Sequence, residues 1–272
     1  MRGLSRAAAF CVFSSLMFAC SSSTTPSDSG NPDSGTSHDA GPTGPITTVA
    51  TGIALPAPYT SSNPADFGSS NDGGAAAYNG ALVEFMGAVT SQGVGSDAGC
   101  PAALTYQTHC DGFQANATGG NFLVDTYIYA NDPTACSSLN NAASITNVRG
   151  IWYNDFGAWT IGITGCSDIG MGTGYAGTGT APATPSGSTT VAAMLAGNPT
   201  DGQKVTVSGV VTFMINADGA DYTFGLEDPA GGARSGVTVF ASQTDAGWVV
   251  PNVGDYDTVS GPWSVQYGQI SL

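Results

Sequence analysis

Basic residues are scarce in this chain. It has 5 Lys and Arg against 20 Asp and Glu among 272 residues, which gives a formal net charge of −15. A protein that binds nucleic acid needs several cations to release the counterions of the phosphates, and a net negative field repels polyanions and anionic lipid surfaces. The composition therefore argues against nucleic-acid binding and against a membrane-docking surface on the folded part.

Strong helix formers are also few. Of the 20 acidic residues, 18 are Asp, and Lys and Glu together number three, whereas Gly reaches 39. Asp and Gly favour turns, and helices depend on residues that this chain has in small number. The composition predicts an all-β protein that is rich in turns.

Long apolar runs are absent after the N-terminus. At the N-terminus, Arg2 and Arg6 precede a short, mostly apolar stretch that starts at Ala7 and ends before Cys20. The stretch is too short for a transmembrane helix and is typical of a secretory signal peptide, here residues 1–19. Its removal leaves three basic residues against 20 acidic ones, a formal charge of −17.

Residues 16–20, Leu-Met-Phe-Ala-Cys, resemble the lipobox of bacterial lipoproteins. The resemblance implies that the Cys20 thiol receives a diacylglycerol and becomes the acylated N-terminus, which anchors the protein durably to a membrane. Ser21 stands where Asp usually retains lipoproteins at the inner membrane, so the resemblance implies the outer membrane. Ordinary secretion with an unmodified Cys20 is the alternative.

Residues 20–45 contain Ser, Thr, Asp, Gly and Pro and almost no large apolar side chain. Such a segment cannot bury enough surface to offset its ordering entropy, and we expect a disordered tether with a root-mean-square span of roughly 25–30 Å. It resembles the tethers of myxobacterial and related lipoproteins.

Four cysteines lie in the part expected to fold: Cys100, Cys110, Cys136 and Cys166. An even number in an oxidising compartment predicts two disulfides. Three pairings are possible, and Cys100–Cys110 with Cys136–Cys166 is favoured, because the first would close one inserted loop. A zinc site that uses His109 is the alternative, although CxxC spacing is missing.

The chain contains an internal repeat. Residues 148–157 and 259–268 share the pattern V-x-G-x-W-x-x-x-[FY]-G at an offset of 111. Other segments match too: 128–130 with 239–241 at the same offset, 83–90 with 205–212, and 122–125 with 224–227 at changed spacing. The repeat predicts two similar β-domains over 46–178 and 188–272, joined by a Gly/Thr/Pro linker at 179–187.

Apolar residues alternate with period two inside each copy, which predicts strands. In the second copy the strands are expected at 205–213, 222–226, 237–241, 256–261 and 269–272, with a turn at Asp218-Gly219. A short helix at 188–196 would be closed by Gly197. In the first copy, Asp132-Pro133 would start a helical connector.

Five short strands, a bent first strand and a connector before the fourth strand predict an OB-like barrel in each copy. The second copy, with 202–212, 253–261 and 267–272, resembles the extracellular OB-fold modules attached to secreted bacterial nucleases and surface proteins. An immunoglobulin-like β-sandwich is the alternative. Some modules of that kind bind nucleic acid, but a single-strand groove needs cations beside aromatic residues, and this copy has only Lys204 and Arg234.

Candidate ligand-binding residues are aromatic side chains that could stack on sugars or bases: Trp152, Tyr153, Phe156, Trp263 and Tyr267. Packing inside the barrels is the competing interpretation, because Trp152 and Trp263 share a face with Val148 and Val259. Weak calcium candidates surround one turn: Asn216, Asp218 and Asp221. They lack the spacing of a calcium loop, so no metal or other cofactor is expected.

Catalytic constellations are not apparent. A Ser or Cys nucleophile needs an activating base, and His109 has no recognisable partner motif. The adjacent carboxylates Glu227 and Asp228 are assigned structural roles, and Arg149 is expected to pair with a neighbouring carboxylate. The sequence therefore predicts a non-enzymatic binding or display protein of the bacterial envelope, whose ligand is a glycan or a protein partner. A structural surface lipoprotein and an accessory subunit of an exported hydrolase or nuclease are the alternatives.

Overall fold

A computed structural model describes residues 45–93, 112–125, 143–155, 158–163, 165–170, 174–217, 221–242, 250–265 and 269–272. Residues 40–272 form one compact unit. The regular structure of the described part is mainly β-strand, in two curled sheets, as the composition predicts.

Fifteen strands are described, and they are β1 (Ile46–Ala50), β2 (Tyr59–Ser61), β3 (Leu82–Phe85), β4 (Val89–Gly93), β5 (Gly112–Ala117), β6 (Gly120–Asp125), β7 (Ser144–Ile145), β8 (Val148–Asp155), β9 (Ala158–Gly162), β10 (Thr189–Thr190), β11 (Lys204–Ala217), β12 (Asp221–Glu227), β13 (Gly236–Ser242), β14 (Tyr256–Ser264) and β15 (Gln269–Ser271). The one α-helix of the described part is α1 (Val191–Ala196). Short 3-10 helices span Pro64–Phe67, Gly74–Tyr78 and Cys166–Ile169.

The second copy forms a closed five-stranded barrel, here called the second barrel. Its strands follow the order β11-β12-β13-β15-β14, and β14 pairs again with β11 to close the ring. The long strand β11 makes this possible because its first half pairs with β14 and its second half with β12, with a register shift between Val211 and Phe213. This closure confirms the OB-like barrel and excludes the sandwich alternative for this copy.

The first copy forms a curled sheet with the same order, here called the first sheet. β3 pairs with β8, β8 with β9, β9 in parallel with β6, β6 with β5, and β5 with β4. β3 and β4 together take the place of β11, interrupted at residues 86–88.

The pairing registers confirm two of the four matches of the internal repeat, and in a third, of 128–130 with 239–241, the first segment lies outside the described residues. Val83 lies opposite Gly150 in the first sheet, and Val205 lies opposite Gly261 in the second barrel. The backbone N–H of Trp152 donates to Ala81 O, and that of Trp263 donates to Gln203 O in the equivalent contact. The matches of 83–85 with 205–207 and of 148–152 with 259–263 are therefore structural equivalences.

One block of the predicted repeat is wrong. In the first sheet Val124 of β6 lies beside Ile161, and in the second barrel Val239 of β13 lies beside Ile270. β6 therefore corresponds to β13, not to β12 as the match of 122–125 with 224–227 implied. The two-residue alternation is common to every strand of a barrel, so a short motif matches more than one strand.

Strand β1 departs from the predicted domain boundaries. It falls in the segment assigned to the first domain, yet it pairs antiparallel with β14 of the second barrel, with Ile46 opposite Val259. Ile46 is buried in the second barrel's core. The two copies are thus connected by a strand exchange at the N-terminal side as well as by the segment between them.

The predicted linker also packs on the folded part. Gly179 forms a parallel bridge with Ile53, and Ala181 packs against the cluster of Ile53, Val210 and Tyr256. Helix α1 starts at Val191, three residues later than predicted, after the N-cap Thr190, and it ends at Gly197 as predicted.

Each curled sheet encloses its own apolar core, and a third apolar cluster joins them. This cluster, here called the junction, consists of Leu82, Ile151, Tyr153 and Phe213. Beside it Gly80 and Gly236 approach each other closely, since a Cβ on Gly80 would lie 2.6 Å from Val237 N. The junction brings strands β3 and β8 of the first sheet against β11 of the second barrel.

Candidate functional site

The two predicted tryptophans lie inside the cores. Trp152 is fully buried, stacks on Trp159 with ring centroids 5.7 Å apart, and donates from Nε1 to Asn71 Oδ1 at 2.8 Å. Trp263 occupies the equivalent position and is 8% exposed. These positions support the packing interpretation, and a ligand-binding role for either residue stays a prediction.

Of the other predicted site residues, Tyr153 lies in a different apolar cluster from the tryptophans, and several lie outside the described residues. Tyr153 is buried in the junction, with its ring centroid 5.8 Å from that of Phe213. Outside the described ranges lie Cys20, Cys100, Cys110, Cys136, Phe156, Asp218 and Tyr267. Cys166 is buried, and the pairing of the cysteines stays a prediction.

The calcium candidates find no support in the described part of the chain. Asn216 and Asp221 belong to the paired ends of β11 and β12. No group of three or more His, Cys, Asp or Glu among the described residues is arranged to hold a metal ion.

A cavity lies next to the junction, mainly against the first sheet, and Thr212 of β11 lines it from the second barrel. It measures about 340 Å³, within the range of small-molecule sites. Apolar side chains of Ala54, Leu55 and Leu82 form part of its wall. The polar part of the wall is formed by Glu84, Asn147, Arg149, Ser167, Asp168, Tyr175 and Thr212. We call this space the inter-barrel cavity.

Glu84 and Arg149 face each other across the β3–β8 pair in this wall. Asn147 donates from Nδ2 to Glu84 Oε1 at 2.9 Å, which orients the carboxylate. Arg149 is half-buried, and none of the ion pairs or side-chain hydrogen bonds found among the described residues involves it. The expected pairing of Arg149 with a carboxylate is therefore not seen in this part of the chain, and its donors face the cavity region.

Two further groups complete the polar wall from the segment after the first sheet. Asp168 Oδ2 accepts a hydrogen bond from the Gly165 N–H at 3.0 Å, which fixes the start of a 3-10 helix. Tyr175 is 41% exposed. Burial, and secondarily the charge of Asp255, raises the pKa of its hydroxyl. A Cβ on Gly254 would collide with the Tyr175 hydroxyl, so this glycine makes room for the ring.

A buried carboxylic acid lies behind the cavity. Glu227 is fully buried, accepts from the Leu82 N–H at 2.9 Å through Oε2, and lies 3.1 Å from Ser235 Oγ through Oε1. Burial raises the pKa of Glu227 to about 7, against the lowering effect of the Leu82 N–H and of Arg149. It does not line the cavity, so it cannot contact a ligand there.

The geometry around Ser235 fits a protonated Glu227. Ser235 Oγ lies 2.6 Å from Gly232 O, closer than Glu227 Oε1. A hydroxyl carries one proton, and that proton is taken by the shorter bond to Gly232. The contact with Glu227 is then a hydrogen bond only if Glu227 is the donor.

Asp228, next in the chain, has a structural role. Its Oδ1 accepts from the Val191 N–H at 2.7 Å and its Oδ2 from the Ala192 N–H at 2.9 Å. These are free donors of the first turn of α1, which a carboxylate satisfies well. The structural assignment of this carboxylate is thus confirmed, although its burial was not anticipated.

A second buried acid lies inside the second barrel. Both oxygens of Asp257 are buried and have no hydrogen-bond partner among the described residues, and the Thr48 hydroxyl is in the same state. Burial raises the pKa of Asp257 to about 6, and the nearby Thr48 hydroxyl lowers that pKa by a smaller amount. The Thr48 hydroxyl and the Asp257 carboxylate are not placed so that they form a hydrogen bond.

The arrangement is suited to binding. The described residues contain no histidine, and the inter-barrel cavity presents donors and acceptors without a nucleophile paired to a base. Sequence reasoning missed Glu84, Asn147, Asp168 and Tyr175 as site residues, because they converge only through the pairing of β3 with β8 and the return of the chain over the first sheet after β9. Arg149, an isolated cation in an acidic chain, was the one available signal.

No described helix is long and apolar enough to cross a bilayer. Comparison with family models, curated proteins and solved structures finds no match to this chain. Its function is therefore inferred from its own sequence and geometry.

Proposed function

We propose that this protein is a lipid-anchored, non-enzymatic binding or display protein of the bacterial envelope, whose ligand is a glycan or a protein partner. The observation that carries the proposal is the inter-barrel cavity, in which Arg149 and Glu84 present unpaired donors and acceptors. The lipobox-like segment at Cys20 and the tether at 20–45 support the anchoring, and the lipobox resemblance favours the outer membrane.

The cavity suits a ligand because two of its polar groups, Glu84 and Arg149, keep hydrogen-bonding capacity in the described structure. Glu84 uses Oε1 for Asn147, and none of the described contacts uses its Oε2. Arg149 makes no ion pair in the described part. The guanidinium therefore keeps N–H donors from which the oxygen atoms of a ligand can accept.

The experiment is a thermal-shift series on the full chain in a mild detergent. The additives are glycan fragments, peptides, calcium, a chelator and single-stranded DNA. We expect a saturable rise in Tm with glycans or peptides that is lost in Arg149→Gln and kept in Lys204→Gln, an exposed cation that does not line the cavity. A rise with DNA would contradict the conclusion from charge.

The burial of Trp152 and Trp263 favours one alternative, a structural surface lipoprotein without a small ligand. On this alternative no additive shifts Tm, and Arg149→Gln changes only stability. The accessory-subunit alternative predicts co-purification with an exported hydrolase or nuclease.

The anchoring is tested separately. Cys20→Ser removes the thiol that would be acylated, and we expect the protein to leave the membrane fraction and to lose incorporation of labelled fatty acid. Cys11→Ser, inside the predicted signal peptide, is the matched control and should leave both unchanged. Persistent membrane association of Cys20→Ser would contradict the lipoprotein proposal.

A further inference from the structure

We propose that the inter-barrel cavity binds one neutral saccharide unit, a hexose or N-acetylhexosamine residue of an envelope glycan. The inference rests on the proposed function, since it names the ligand class for the same cavity.

Donors and acceptors alternate in the cavity wall. Glu84 and Arg149 lie directly opposite each other on neighbouring strands, so a free carboxylate oxygen adjoins a guanidinium with five N–H donors. Each sugar hydroxyl both donates and accepts one hydrogen bond. Two adjacent hydroxyls can therefore donate to Glu84 and accept from Arg149 at the same time, with Asn147 holding the carboxylate in place.

The charges of the wall exclude strongly charged ligands. Among the described lining residues Arg149 is the only cation, beside the carboxylates of Glu84 and Asp168. A carboxylate or phosphate ligand would meet these two carboxylates and the net charge of −15 of the chain. An ammonium in place of a hydroxyl has no acceptor for the Arg149 guanidinium. A neutral polyol avoids both mismatches and still makes charge-assisted hydrogen bonds.

The remaining walls match the apolar face of a pyranose ring. Leu55, Leu82 and Ala54 supply aliphatic surface, and Tyr175 supplies a partly exposed aromatic ring. A cavity of about 340 Å³ has room for one sugar unit with its exocyclic groups, and not for a folded protein segment.

The test is saturation-transfer NMR and calorimetry on the full chain in detergent. The neutral probes are methyl glucoside, methyl galactoside and N-acetylglucosamine, and the charged analogues are glucosamine and glucuronate. We expect at least one neutral probe to bind, and its charged analogue to bind roughly 10-fold more weakly or worse. Tighter binding of glucosamine or glucuronate would overturn the assignment to neutral sugars.

Variants locate the site. Glu84→Gln and Arg149→Gln should each weaken binding of the neutral probe roughly 10-fold, because each removes a charge-assisted hydrogen bond. Lys204→Gln should leave affinity unchanged. Equal affinity in all three variants would place the sugar elsewhere and contradict the proposal, and a circular-dichroism melt of each variant excludes loss of fold as the cause.

The two proposals fail differently. If no saccharide binds but a peptide raises Tm in an Arg149-dependent way, the cavity is a binding site and the saccharide assignment is wrong. If neither class binds, both proposals fail.

Discussion

Asp257 lies inside the second barrel with both carboxylate oxygens unbonded to any described group, and its pKa is raised to about 6 from an ordinary 3.8. The folded state therefore holds a proton that the unfolded state releases between these values. The contribution of this bound proton to the stability of the folded protein is fully present below about pH 4 and is lost as pH rises through about 6.

We expect the wild-type protein to be more stable at pH 5 than at pH 8. Asp257→Asn removes the buried charge and should raise the free energy of unfolding at pH 8 by on the order of 2 kcal/mol, with a smaller gain at pH 5. Urea denaturation at both pH values measures this. Asp72→Asn, an exposed carboxylate, is the control, and a destabilised Asp257→Asn at pH 8 would show that the charge is compensated.

Glu227 adds to the same pH dependence at the junction. Its pKa of about 7 against an ordinary 4.5 means that stability falls as pH rises from about 4.5 through 7. Glu227→Gln keeps an acceptor for the Leu82 N–H and a donor for Ser235, as a protonated Glu227 does. It should raise stability at pH 8, whereas Glu227→Ala should lower it by about 1–3 kcal/mol at pH 5 by leaving the Leu82 N–H buried and unsatisfied. Denaturation of both variants at the two pH values distinguishes them.

Helix α1 is short, and its first turn depends on Asp228 from the distant end of β12. Two backbone N–H groups of α1 donate to this carboxylate. Asp228→Ala should lower the free energy of unfolding by about 1–3 kcal/mol. Thr190→Ala, which removes the single cap bond to the Ala193 N–H at 3.2 Å, should lower it by about 1 kcal/mol. Urea denaturation ranks the two, and a larger effect of Thr190→Ala would contradict the role given to Asp228.

At the scale of elements, the strands of the second copy were predictable because alternation along a half-buried strand is a local property. The predicted 222–226 and 237–241 fall inside β12 and β13, and the predicted helix ends at Gly197 as expected. The equivalence of β6 with β13 was not predictable, because any barrel strand carries the same alternation and only hydrogen-bond register identifies its neighbours.

At the scale of the whole molecule, the first sheet approaches the second barrel closely at Gly80 and Gly236. Gly80 has φ +74, and a Cβ there would lie 2.6 Å from Val237 N. Gly202 occupies the equivalent place in the second copy with φ +75 and nothing within 4 Å of a Cβ. The internal repeat thus supplies a matched pair of glycines. Both have the same positive φ, and a Cβ would meet neighbouring atoms only at Gly80.

Gly202→Ala should lower the free energy of unfolding by about 1–2 kcal/mol, from positive-φ strain alone. Gly80→Ala adds a collision across the junction and should lower it by at least about 2 kcal/mol more, as overpacking does. Thermal and urea denaturation measure the difference. Equal effects of the two variants would mean that the first sheet and the second barrel do not press together at this point.

The sequence by itself determined the all-β class, the repeat of two OB-like units and the unfavourable charge for nucleic acid, because composition and two-residue alternation depend only on neighbouring positions. Tertiary structure alone decided that β1 joins the second barrel and that Glu84, Arg149 and Tyr175 line one cavity. These features depend on strand pairing and on the path of the chain outside the strands, which bring together residues whose separation along the chain carries no periodic signal.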